Sequence, residues 1–449
     1  MTSVMWFRRD LRLGDNPALL EAVGDGPVLP LFVLDPVLWG PAGPSRRGYL
    51  GASLRDLDGQ LRRRRAGLSV VRGDPVRRVV AAARAVGADR VHVAADFGPY
   101  GHRRDEEVEQ ALAAAGIELV RTGSPYAVAP GRVTNGSGEH YKVFTPFSRA
   151  WSEHGWRDPV DPPSGGSWLA LDEDTTAIPE PDLPAGLSLP EAGEAAARQR
   201  WEAFLDHVDA YDEDRNKPGV DGTSHMSVHL KWGEIHPRTM LAALAAKRSR
   251  GAATYRKELA WREFYADVLF AQPRSAREYL RRDYGAMAYD RPGAQLEAWA
   301  EGRTGFPIVD AGIRQMRATG WMHNRVRMIV ASFLVKDLHV EWQHGARCFM
   351  HWLVDGDLAS NQHGWQWVAG SGTDAAPYFR VFNPTGQGQK FDPDGRYVRR
   401  WVEELRDPAQ VPDPHDPDPD TRDLVGYPLP MVDHKAERQE ALDRWQAIR

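Results

Sequence analysis

Short apolar runs alternate with amphipathic segments along the first part of the chain. The runs predict β-strands, and the segments Tyr49–Arg65 and Pro75–Val86 predict helices between them. Near-continuous apolar strands separated by helices are typical of a parallel sheet that is covered on both faces. The pattern therefore predicts a doubly wound parallel α/β domain over residues 1–128. Its strands are expected at Val4–Phe7, Val28–Asp35, Ser69–Arg72, Arg90–Ala95 and Glu118–Arg121.

The pattern changes twice after this domain. Over residues 129–193 periodicity is weak and Pro, Gly, Ser and Asp are frequent, which predicts an interdomain connection with one helix near Tyr141–Trp156. Over residues 194–449 apolar positions recur with the helical period, which predicts an all-helical domain. Asp-Pro pairs between Asp407 and Pro419 indicate a surface loop before a last helix, Asp433–Ile448. The other helices are expected at Glu194–Asp209, Pro237–Ala246, Thr254–Ala271, Pro307–Thr319, Asn324–Leu338 and Trp342–Leu353.

Composition narrows the class of protein. Of the 449 residues 42 % are hydrophobic and 27 % are charged, which is ordinary for a globular protein. No apolar run reaches the ~18 residues that a membrane span needs, and the N-terminus lacks a signal-peptide pattern. The single cysteine, Cys348, excludes a disulfide framework and a multi-cysteine metal site. We therefore expect a cytoplasmic protein with no metal and no membrane contact. The net charge is −5, so a nucleic acid would have to meet a locally basic face.

Hydroxyl side chains cluster in the stretch DGTSHMS, residues 221–227, just before a predicted helix. Such a turn offers backbone N–H groups, hydroxyl donors and a helix dipole, which suit a phosphate or a pyrophosphate. An ordinary N-cap formed by Ser and Thr is the alternative. The strand ends of the first domain carry neither a GxGxxG fingerprint nor a P-loop.

Two predicted helices combine polar and aromatic groups. Glu258 and Trp261 are three residues apart, so they share a helical face and pair a hydrogen-bond acceptor with a flat ring, which suits a nucleobase. An amphipathic helix with a buried tryptophan is the alternative. In the motif GWMHNRVRM, Asn324 and Arg327 share a face and Arg325 points elsewhere. One arginine could thus pair with a buried carboxylate while the other meets solvent or ligand, and two surface arginines are the alternative.

The segment DGDLASNQHGWQW, residues 355–367, concentrates acids, amides and aromatic rings. An EF-hand loop needs an oxygen ligand, Gly and Glu at its fifth, sixth and twelfth positions. Those positions hold Ala359, Ser360 and Gln366, so the calcium interpretation is excluded. The acids can still hold ribose hydroxyls or ring N–H groups, and Trp365 and Trp367 are expected to form a stacking wall. A chance aromatic loop is the alternative.

Taken together, these segments resemble the photolyase/cryptochrome family along nearly the whole chain. The motifs WFRRDLRLGDN, TSHMS, ELAWREFY, GWMHNRVRM, DGDLASNQHGWQW and GTDAAPYFRVFNP occur in the family's order. The resemblance is greatest to class I cyclobutane pyrimidine dimer DNA photolyases, and it implies an FAD-dependent, light-driven carbon–carbon lyase that repairs DNA. The rival interpretation is a cryptochrome, which signals blue light without repair. Asn361, and a chain that ends at Arg449 directly after the last predicted helix, favour repair. A generic flavin oxidoreductase would need a nicotinamide site, and none is visible.

The resemblance implies that a U-shaped FAD binds in the helical domain. Arg327 and Asp355 match a buried ion pair beside the isoalloxazine, Asp357 matches a carboxylate near its ring edge, and Asn361 matches the residue facing flavin N5. Asn is typical of photolyases there, because an amide steadies a reduced anionic flavin without adding negative charge. His225 stands where many relatives have Arg. The matching cofactor residues are Tyr211, Thr223, Ser224, His225, Met226, Ser227, Arg262, Asn324, Arg327, Asp355, Gly356, Asp357 and Asn361.

The resemblance also implies a pocket for a dimer flipped out of ultraviolet-damaged DNA, with sequence-independent, salt-sensitive binding by a monomer. Glu258 and Asn324 would hydrogen-bond the thymine edges, and Trp261 and Trp367 would form apolar walls. Photolyases for (6-4) lesions place a histidine pair where this chain has Asn324 and Met328. The matching pocket residues are Glu258, Trp261, Asn324, Arg325, Met328, Trp367 and Arg380. Candidate phosphate contacts are Arg256, Lys257, Arg325, Arg380 and Lys390.

Tryptophan is over-represented, with 16 copies, of which 11 lie at or after Trp201, so some rings could carry electrons rather than only fill a core. In the family, light-driven reduction of the flavin runs through three tryptophans. Trp365 and Trp342 match the inner two, and Tyr289 stands at the outer position, where a tyrosine donates only if it also loses its proton. Trp299 and Trp321 offer alternative outer rings. The expected catalytic residues are Glu258, Asn324, Asn361, Trp365, Trp342 and Tyr289.

A second, light-harvesting chromophore is the other implication of the resemblance. The folate-binding pattern has a glutamate on the segment near Gly101 and a later Cys-Lys pair, where this chain has Gly and Ala276-Arg277. The stretch Phe32–Pro36 resembles instead the type that binds 8-hydroxy-5-deazaflavin. We therefore favour the deazaflavin over methenyltetrahydrofolate, with no antenna as a further alternative. The antenna residues implied are Arg46, Asp96 and Lys231.

Overall fold

A computed structural model of the chain describes residues 1–374 and 379–449. Four residues of the motif GTDAAPYFRVFNP, 375–378, lie outside the described residues. The strands are β1 Ser3–Phe7, β2 Val28–Leu34, β3 Ser69–Arg72, β4 Arg90–Val93 and β5 Glu118–Arg121. The helices up to residue 271 are α1 Pro17–Asp25, α2 Pro36–Trp39, α3 Pro44–Arg62, α4 Pro75–Ala85, α5 Pro99–Ala113, α6 Phe144–His154, α7 Glu194–Leu205, α8 Tyr211–Asp214, α9 Ser227–Trp232, α10 Pro237–Ala245 and α11 Arg250–Ala271. The later helices are α12 Ala294–Glu301, α13 Pro307–Thr319, α14 Asn324–Lys336, α15 Trp342–Trp352, α16 Leu358–Ala369, α17 Pro384–Phe391, α18 Arg396–Trp401, α19 Pro419–Val425 and α20 His434–Gln446.

The strands form one parallel sheet in the order β3-β2-β1-β4-β5. Val4 of β1 lies opposite Leu29 of β2 on one side and Val91 of β4 on the other. Side chains alternate between the two faces of a strand, so Val4 and Trp6 pack in one apolar cluster and Met5 and Phe7 in another. Both faces of the sheet are therefore covered, as the continuous apolar runs predicted, and the doubly wound α/β fold is confirmed.

The direction in which strands are added reverses between β1 and β4. In open parallel sheets, ligands bind outside the carboxyl ends of the strands at such a switch point. The residues that follow β1 are Arg8, Arg9 and Asp10, and those that follow β4 are Ala94 to Asp96. This end of the sheet is therefore rich in charge.

The chain divides into two compact units that do not follow its order. The first comprises residues 1–184, 189–209 and 224–273, so it contains the sheet and helices α9 to α11. The second comprises residues 185–188, 210–223 and 274–449. Its core is an apolar cluster of helix-borne residues, among them Trp299, Phe333, Trp342 and Trp365. Within the described ranges, no helix is both long enough and apolar enough to cross a membrane.

Two segments contain helices that apolar periodicity does not predict. For residues 355–367 an aromatic loop is the alternative given above, but α16 begins at Leu358 because the Asp357 carboxylate accepts the Ser360 N–H at 3.0 Å and caps the helix. The predicted Asp-Pro loop likewise leads into α19, where Asp418 is the N-cap and Pro419 the first residue. Polar capping residues conceal both helix starts from an analysis of apolar periodicity.

Candidate functional site

The start of α14 carries an arginine fixed by a buried carboxylate. Arg327 Nη2 donates to Asp355 Oδ2 at 2.8 Å and to Oδ1 at 3.1 Å, and its Nε donates to the Met322 carbonyl at 2.8 Å. Asp355 is 6 % exposed. Arg327 Nη1 has no hydrogen-bond partner within the described residues, so one donor of the fixed cation stays available. The prediction that one arginine pairs with a buried carboxylate is confirmed.

Arg325, on another side of α14, meets neutral groups. Its Nη2 and Nε donate to the Asn216 side-chain oxygen at 2.8 and 3.2 Å, and its guanidinium lies 4.4 Å from the centre of the Phe391 ring. Burial lowers the pKa of Arg325, and the neighbouring cations Arg215 and Arg380 lower it further. Asn324 is exposed and Met328 is half-buried. This end of α14 therefore presents positive charge beside an exposed amide.

Helix α16 holds two tryptophans on opposite sides. Trp365 is buried, with its ring centre 4.9 Å from that of Phe349 and 6.1 Å from that of Trp299. Trp367 is half-buried, and its Nε1 donates to the Asp374 carbonyl at 3.2 Å. The stacking wall expected from these two rings is wrong, because residues two apart on a helix point in nearly opposite directions. They belong to separate environments.

Asn361 lies in the middle of α16 with its amide orientation fixed. Its Nδ2 donates to the Ala346 carbonyl at 3.1 Å and to Gln362 Oε1 at 2.8 Å. With its nitrogen committed, the side chain offers its oxygen as an acceptor. Asp357 lies one turn earlier as the cap of the same helix, and Gly356 is buried just before it.

The aromatic rings around α15 form a line that sequence analysis identified only in part. A Cβ at Gly345 would lie 2.1 Å from the Trp365 ring, so Trp365 rests directly on the α15 backbone one turn after Trp342. The next ring in contact with Trp342 is Tyr279, with centres 6.3 Å apart. Tyr289, the expected outer residue, stacks on Tyr279 at 6.1 Å. Tyr279 was missed because it lies in a coil segment without periodicity.

The hydroxyl-rich turn of residues 221–227 spans the boundary between the two units. In the first unit, Ser224 Oγ is 2.7 Å from the Tyr255 hydroxyl and accepts the Met226 N–H at 3.2 Å. His225 adopts a positive φ of 54°, and the six-residue helix α9 starts at Ser227. In the second unit, Thr223 is half-buried, and Tyr211 is buried beneath the guanidinium of Arg215.

Trp261 on α11 has one ring face already covered. Its ring stacks on Phe144 of α6 with the centres 3.7 Å apart and the planes 7° from parallel. Trp261 itself is half-buried, as is Glu258 one turn earlier. Phe144 was missed, because the sequence gives no sign that this residue of the connection meets α11. The stack makes Trp261 a fixed flat platform.

Two basic residues of α11, Arg262 and Arg256, donate hydrogen bonds to backbone carbonyl groups. Arg262 Nη1 donates to the Pro125 carbonyl at 3.0 Å, and its guanidinium lies 4.8 Å from the Tyr126 ring centre. Arg256 Nη2 donates to the carbonyls of Leu244 and, at 2.6 Å, Lys247 at the end of α10. The structure thus gives both arginines contacts within the first unit, whereas Lys257 is exposed.

A cationic cavity lies on the second unit. Its lining includes four basic residues and, with them, the rings of Trp367 and Phe379; the basic residues are Arg281, Lys336, Arg380 and Arg449. None of the described residues that line it is acidic. Lys336 donates to the Arg380 carbonyl at 2.5 Å, and burial lowers its pKa to about 7. Cations interleaved with aromatic rings are typical of single-stranded nucleic-acid sites.

The residues implied for an antenna lie on three elements of the first unit. Asp96 follows β4 at the switch point, where burial alone would raise its pKa, but Arg104, Arg9 and Arg8 hold that pKa below its usual range. Arg46 lies in the first turn of α3, and burial lowers its pKa to about 10. Lys231 lies on α9, with its ammonium 5.8 Å from the Trp232 ring centre.

The family model of the FAD binding domain of DNA photolyase matches residues 255–447, and the DNA photolyase model matches residues 3–164. The deoxyribodipyrimidine photo-lyase of Escherichia coli is 37 % identical, with 100 % of this chain and 99 % of that protein covered. That of Thermus thermophilus is 40 % identical over 91 % of this chain and 93 % of its own length.

Solved structures of the same family superimpose on this chain. A bacterial class III photolyase from Agrobacterium tumefaciens superimposes with a TM-score of 0.93 at 36 % identity, covering 100 % of this chain and 97 % of that one. A cryptochrome from Synechocystis superimposes with a TM-score of 0.90 at 26 % identity, covering 98 % of each chain. Both the sheet domain and the helical domain are thus shared with these proteins, and the chain belongs to the DNA photolyase family.

Proposed function

We propose that the protein uses light to repair cyclobutane pyrimidine dimers in DNA with a bound FAD. The observation that carries this proposal is the Arg327–Asp355 pair, in which a buried carboxylate fixes a half-buried cation with one donor unpaired. A preorganised cation of this kind stabilises an anionic reduced flavin without reorganisation at the moment of reaction. The relatives named as deoxyribodipyrimidine photo-lyases cover nearly the whole chain, which supports the same activity.

The donor set fits FAD. Hydroxyl groups and backbone N–H groups of residues 223–227 suit its phosphates, while Asp357 and the Arg327 guanidinium suit its ribityl hydroxyls and ring edge. The free oxygen of Asn361 suits a protonated ring nitrogen, because its own nitrogen is already committed to two acceptors. Bound FAD would supply the light-driven electron transfer that opens the dimer, and the protein would supply position and field.

The DNA partner is proposed to be a damaged strand recognised without regard to sequence. Trp261 would offer its uncovered face to the flipped-out dimer, and Glu258 and Asn324 would hydrogen-bond the thymine edges. Trp367 would present a second apolar wall from α16. Phosphates would meet the cations of the second unit, above all Arg325 and the cavity residue Arg380. None of the described residues that line the cavity is acidic, and of its cations Arg281 pairs with the neighbouring Asp283 at 3.0 Å. Binding should therefore weaken steeply with salt.

A second chromophore is proposed at the charged end of the sheet, where the β1/β4 switch point places Asp96 among arginines. A Cβ at Gly101 would lie 2.1 Å from an Asp96 carboxylate oxygen, so a glutamate there, as in the folate pattern, would require Asp96 to move. This favours 8-hydroxy-5-deazaflavin. An archaeal photolyase from Sulfolobus tokodaii, 30 % identical with a TM-score of 0.85, holds two FAD molecules, so a second FAD is the other candidate. Chromophores released by denaturing the purified protein and identified by mass spectrometry distinguish these candidates.

Repair is tested on the holoprotein with chemically reduced FAD. Illumination with ultraviolet-damaged oligothymidine should convert dimers to thymines, measured by loss of the dimer in chromatography, with a dark sample as control. A sample that binds FAD and damaged DNA but leaves every dimer intact under light would assign the protein to signalling instead. A sample that does not bind added FAD would overturn the proposal.

The lesion pocket is tested with Trp261→Ala. The variant should bind damaged DNA about 5- to 150-fold more weakly, because stacking on an aromatic side chain contributes about 1–3 kcal/mol per base. Its FAD content should be unchanged. Trp168→Ala, which removes a half-buried tryptophan of the sheet region, is the matched control and should change neither quantity. Loss of FAD with normal DNA binding would show that Trp261 has been assigned to the wrong site.

A further inference from the structure

Tyr279 lies between Trp342 and Tyr289. Its ring meets the edge of the Trp342 ring at 83° with the centres 6.3 Å apart, and it stacks on Tyr289 at 6.1 Å and 16°. Among the described residues, no ring contact joins Tyr289 directly to Trp342. An electron that reaches Trp342 from the two tyrosines therefore passes to it directly from Tyr279.

The hydroxyl group of Tyr279 already has a proton acceptor. Its Oη donates to Glu341 Oε1 at 2.9 Å. Glu341 is the residue before α15, and Trp342 is the first residue of that helix, so the carboxylate and the indole are neighbours in the chain. The Tyr289 hydroxyl is buried, and its neighbour is the Tyr279 hydroxyl rather than a carboxylate. Only one of the two stacked tyrosines can hand its proton to a carboxylate.

A buried amide holds the coil segment that carries Tyr279. Gln366 of α16 is fully buried, and its Nε2 donates to the Ser275 carbonyl at 2.8 Å while its Oε1 accepts the Leu280 N–H at 2.7 Å. Both ends of the segment are thus tied to the helix that carries Trp365. Tyr279 is held in place although it belongs to no regular element.

We propose that Tyr279 is the electron donor to oxidised Trp342 and that Glu341 accepts the phenolic proton of Tyr279 in the same step. The Trp342 radical cation gains one electron and becomes neutral tryptophan. Tyr279 loses that electron together with its Oη proton and becomes a neutral tyrosyl radical, while the Glu341 carboxylate becomes a carboxylic acid. Tyr289 covers one face of Tyr279 and is a positioning residue.

This inference rests on the proposed function, because bound FAD would supply the light-driven oxidation that reaches Trp342 through Trp365. The proton acceptor is required because a tyrosine that loses only an electron carries a positive charge, which is costly where the ring is partly buried. Burial also raises the pKa of Tyr279, so the phenol is protonated before the step and must release its proton during it. A hydrogen bond to a carboxylate provides that release with little rearrangement.

The test is made on holoprotein with oxidised FAD and an external thiol as the final reductant. Flash illumination followed by electron paramagnetic resonance, with ring-deuterated tyrosine, identifies the radical, and visible absorption gives the rate of FAD photoreduction. Tyr279→Phe should abolish the tyrosyl signal and slow photoreduction about tenfold. Tyr289→Phe should keep the tyrosyl signal. Tyr427→Phe is the matched control, because Tyr427 also donates to a buried carboxylate, Asp310, at 2.5 Å and should change neither quantity.

The role of Glu341 is tested by making Glu341→Gln both in the wild-type protein and in a Tyr279→Trp variant. Glu341→Gln keeps a hydrogen-bond acceptor but cannot take the proton, so it should lower the tyrosyl yield about as much as Tyr279→Phe does. In a Tyr279→Trp background the donor needs no proton acceptor, so Glu341→Gln should have no further effect on photoreduction. A merely structural role of Glu341 would give the same loss in both backgrounds and would overturn its assignment.

Failure of this inference is distinguishable from failure of the proposed function. If Tyr289→Phe removes the tyrosyl signal while Tyr279→Phe keeps it, Tyr289 is the direct donor and the inference is wrong. An unchanged signal in both variants would exclude the pair altogether. Dimer repair by chemically reduced holoprotein needs no electron from Tyr279, so it should remain normal in Tyr279→Phe whatever the radical measurements show. A protein that binds no FAD would defeat the proposed function instead.

Discussion

Two of the buried carboxylates, one in each compact unit, have different partners. In the first unit Glu263 of α11, 2 % exposed, accepts neutral donors only: the N–H groups of Ala127 and Val128 at 2.5 and 3.0 Å and the Trp151 indole at 2.6 Å. In the second unit Asp355, 6 % exposed, faces the Arg327 guanidinium.

The difference indicates what each carboxylate does. Neutral donors do not offset the loss of hydration completely, and burial raises the pKa of Glu263 in spite of them. Glu263 therefore ties two chain segments to α11, which is a structural task. Asp355 instead holds a half-buried cation, and the unpaired donor of that cation is available to a ligand.

Breaking the Arg327–Asp355 ion pair should lower the free energy of unfolding more than any other substitution considered below. Arg327→Met leaves the Asp355 carboxylate buried without its cation, so the free energy of unfolding should fall by about 3–5 kcal/mol. Urea unfolding followed by circular dichroism measures this in the FAD-free protein. The double variant Arg327→Met with Asp355→Leu should regain most of the loss, because no isolated charge remains buried. Neither variant should retain FAD.

The matched control for this prediction is Arg325→Met on the same helix. Arg325 bonds to the neutral Asn216, so its removal leaves no buried charge and should cost much less free energy of unfolding. Equal losses for Arg325→Met and Arg327→Met would contradict the assigned role of the Asp355 pair.

Replacing Glu263, the carboxylate with neutral donors, should lower the free energy of unfolding less than replacing Arg327. Glu263→Gln keeps one acceptor oxygen but turns an amide NH2 toward groups that are donors themselves, and we expect a loss of about 1–3 kcal/mol in the free energy of unfolding. FAD content should stay normal in the folded protein. Release of FAD by Glu263→Gln at temperatures where the protein remains folded would contradict a purely structural role for Glu263.

Lys336 provides a test in which pH is the variable. Burial lowers its pKa to about 7 in the folded protein, whereas an unfolded chain keeps it near 10.4. Between these values the unfolded state binds more protons, so the free energy of unfolding should rise with pH, by at most about 1.4 kcal/mol per pH unit. Below about pH 7 both states are protonated, and the buried cation destabilises the fold fully.

Lys336→Met should remove this slope between pH 7 and 10 in urea unfolding experiments. Lys390→Met, which removes an exposed lysine of α17, should leave it unchanged. Persistence of the slope in Lys336→Met would assign the titration to another group.

The sequence predicted the sheet more completely than the site, for physical reasons. Every strand was predicted because strands buried on both faces are continuous apolar runs, as β2 shows. The Arg327–Asp355 pair was predicted from helical spacing together with the family resemblance. Helix α16 was weighed as a loop because its cap is polar, and Tyr279 was missed because contacts between coil residues and distant rings leave no local pattern.

The smallest expected effect concerns the stack beneath Trp261. Phe144→Leu removes the parallel ring that fixes the Trp261 plane, and an aromatic pair contributes about 0.5–1.5 kcal/mol beyond its buried area. Binding of ultraviolet-damaged DNA should therefore weaken by at most about tenfold, measured by fluorescence anisotropy at fixed salt. Phe147→Leu is the matched control, because Phe147 lies on the same helix and contacts Phe264 rather than Trp261. FAD content should be normal in both variants, since neither Phe144 nor Phe147 is among the proposed FAD-binding residues. Equal affinity for damaged DNA in the two variants would show that Trp261 needs no support from Phe144, and its platform role would then rest on α11 alone.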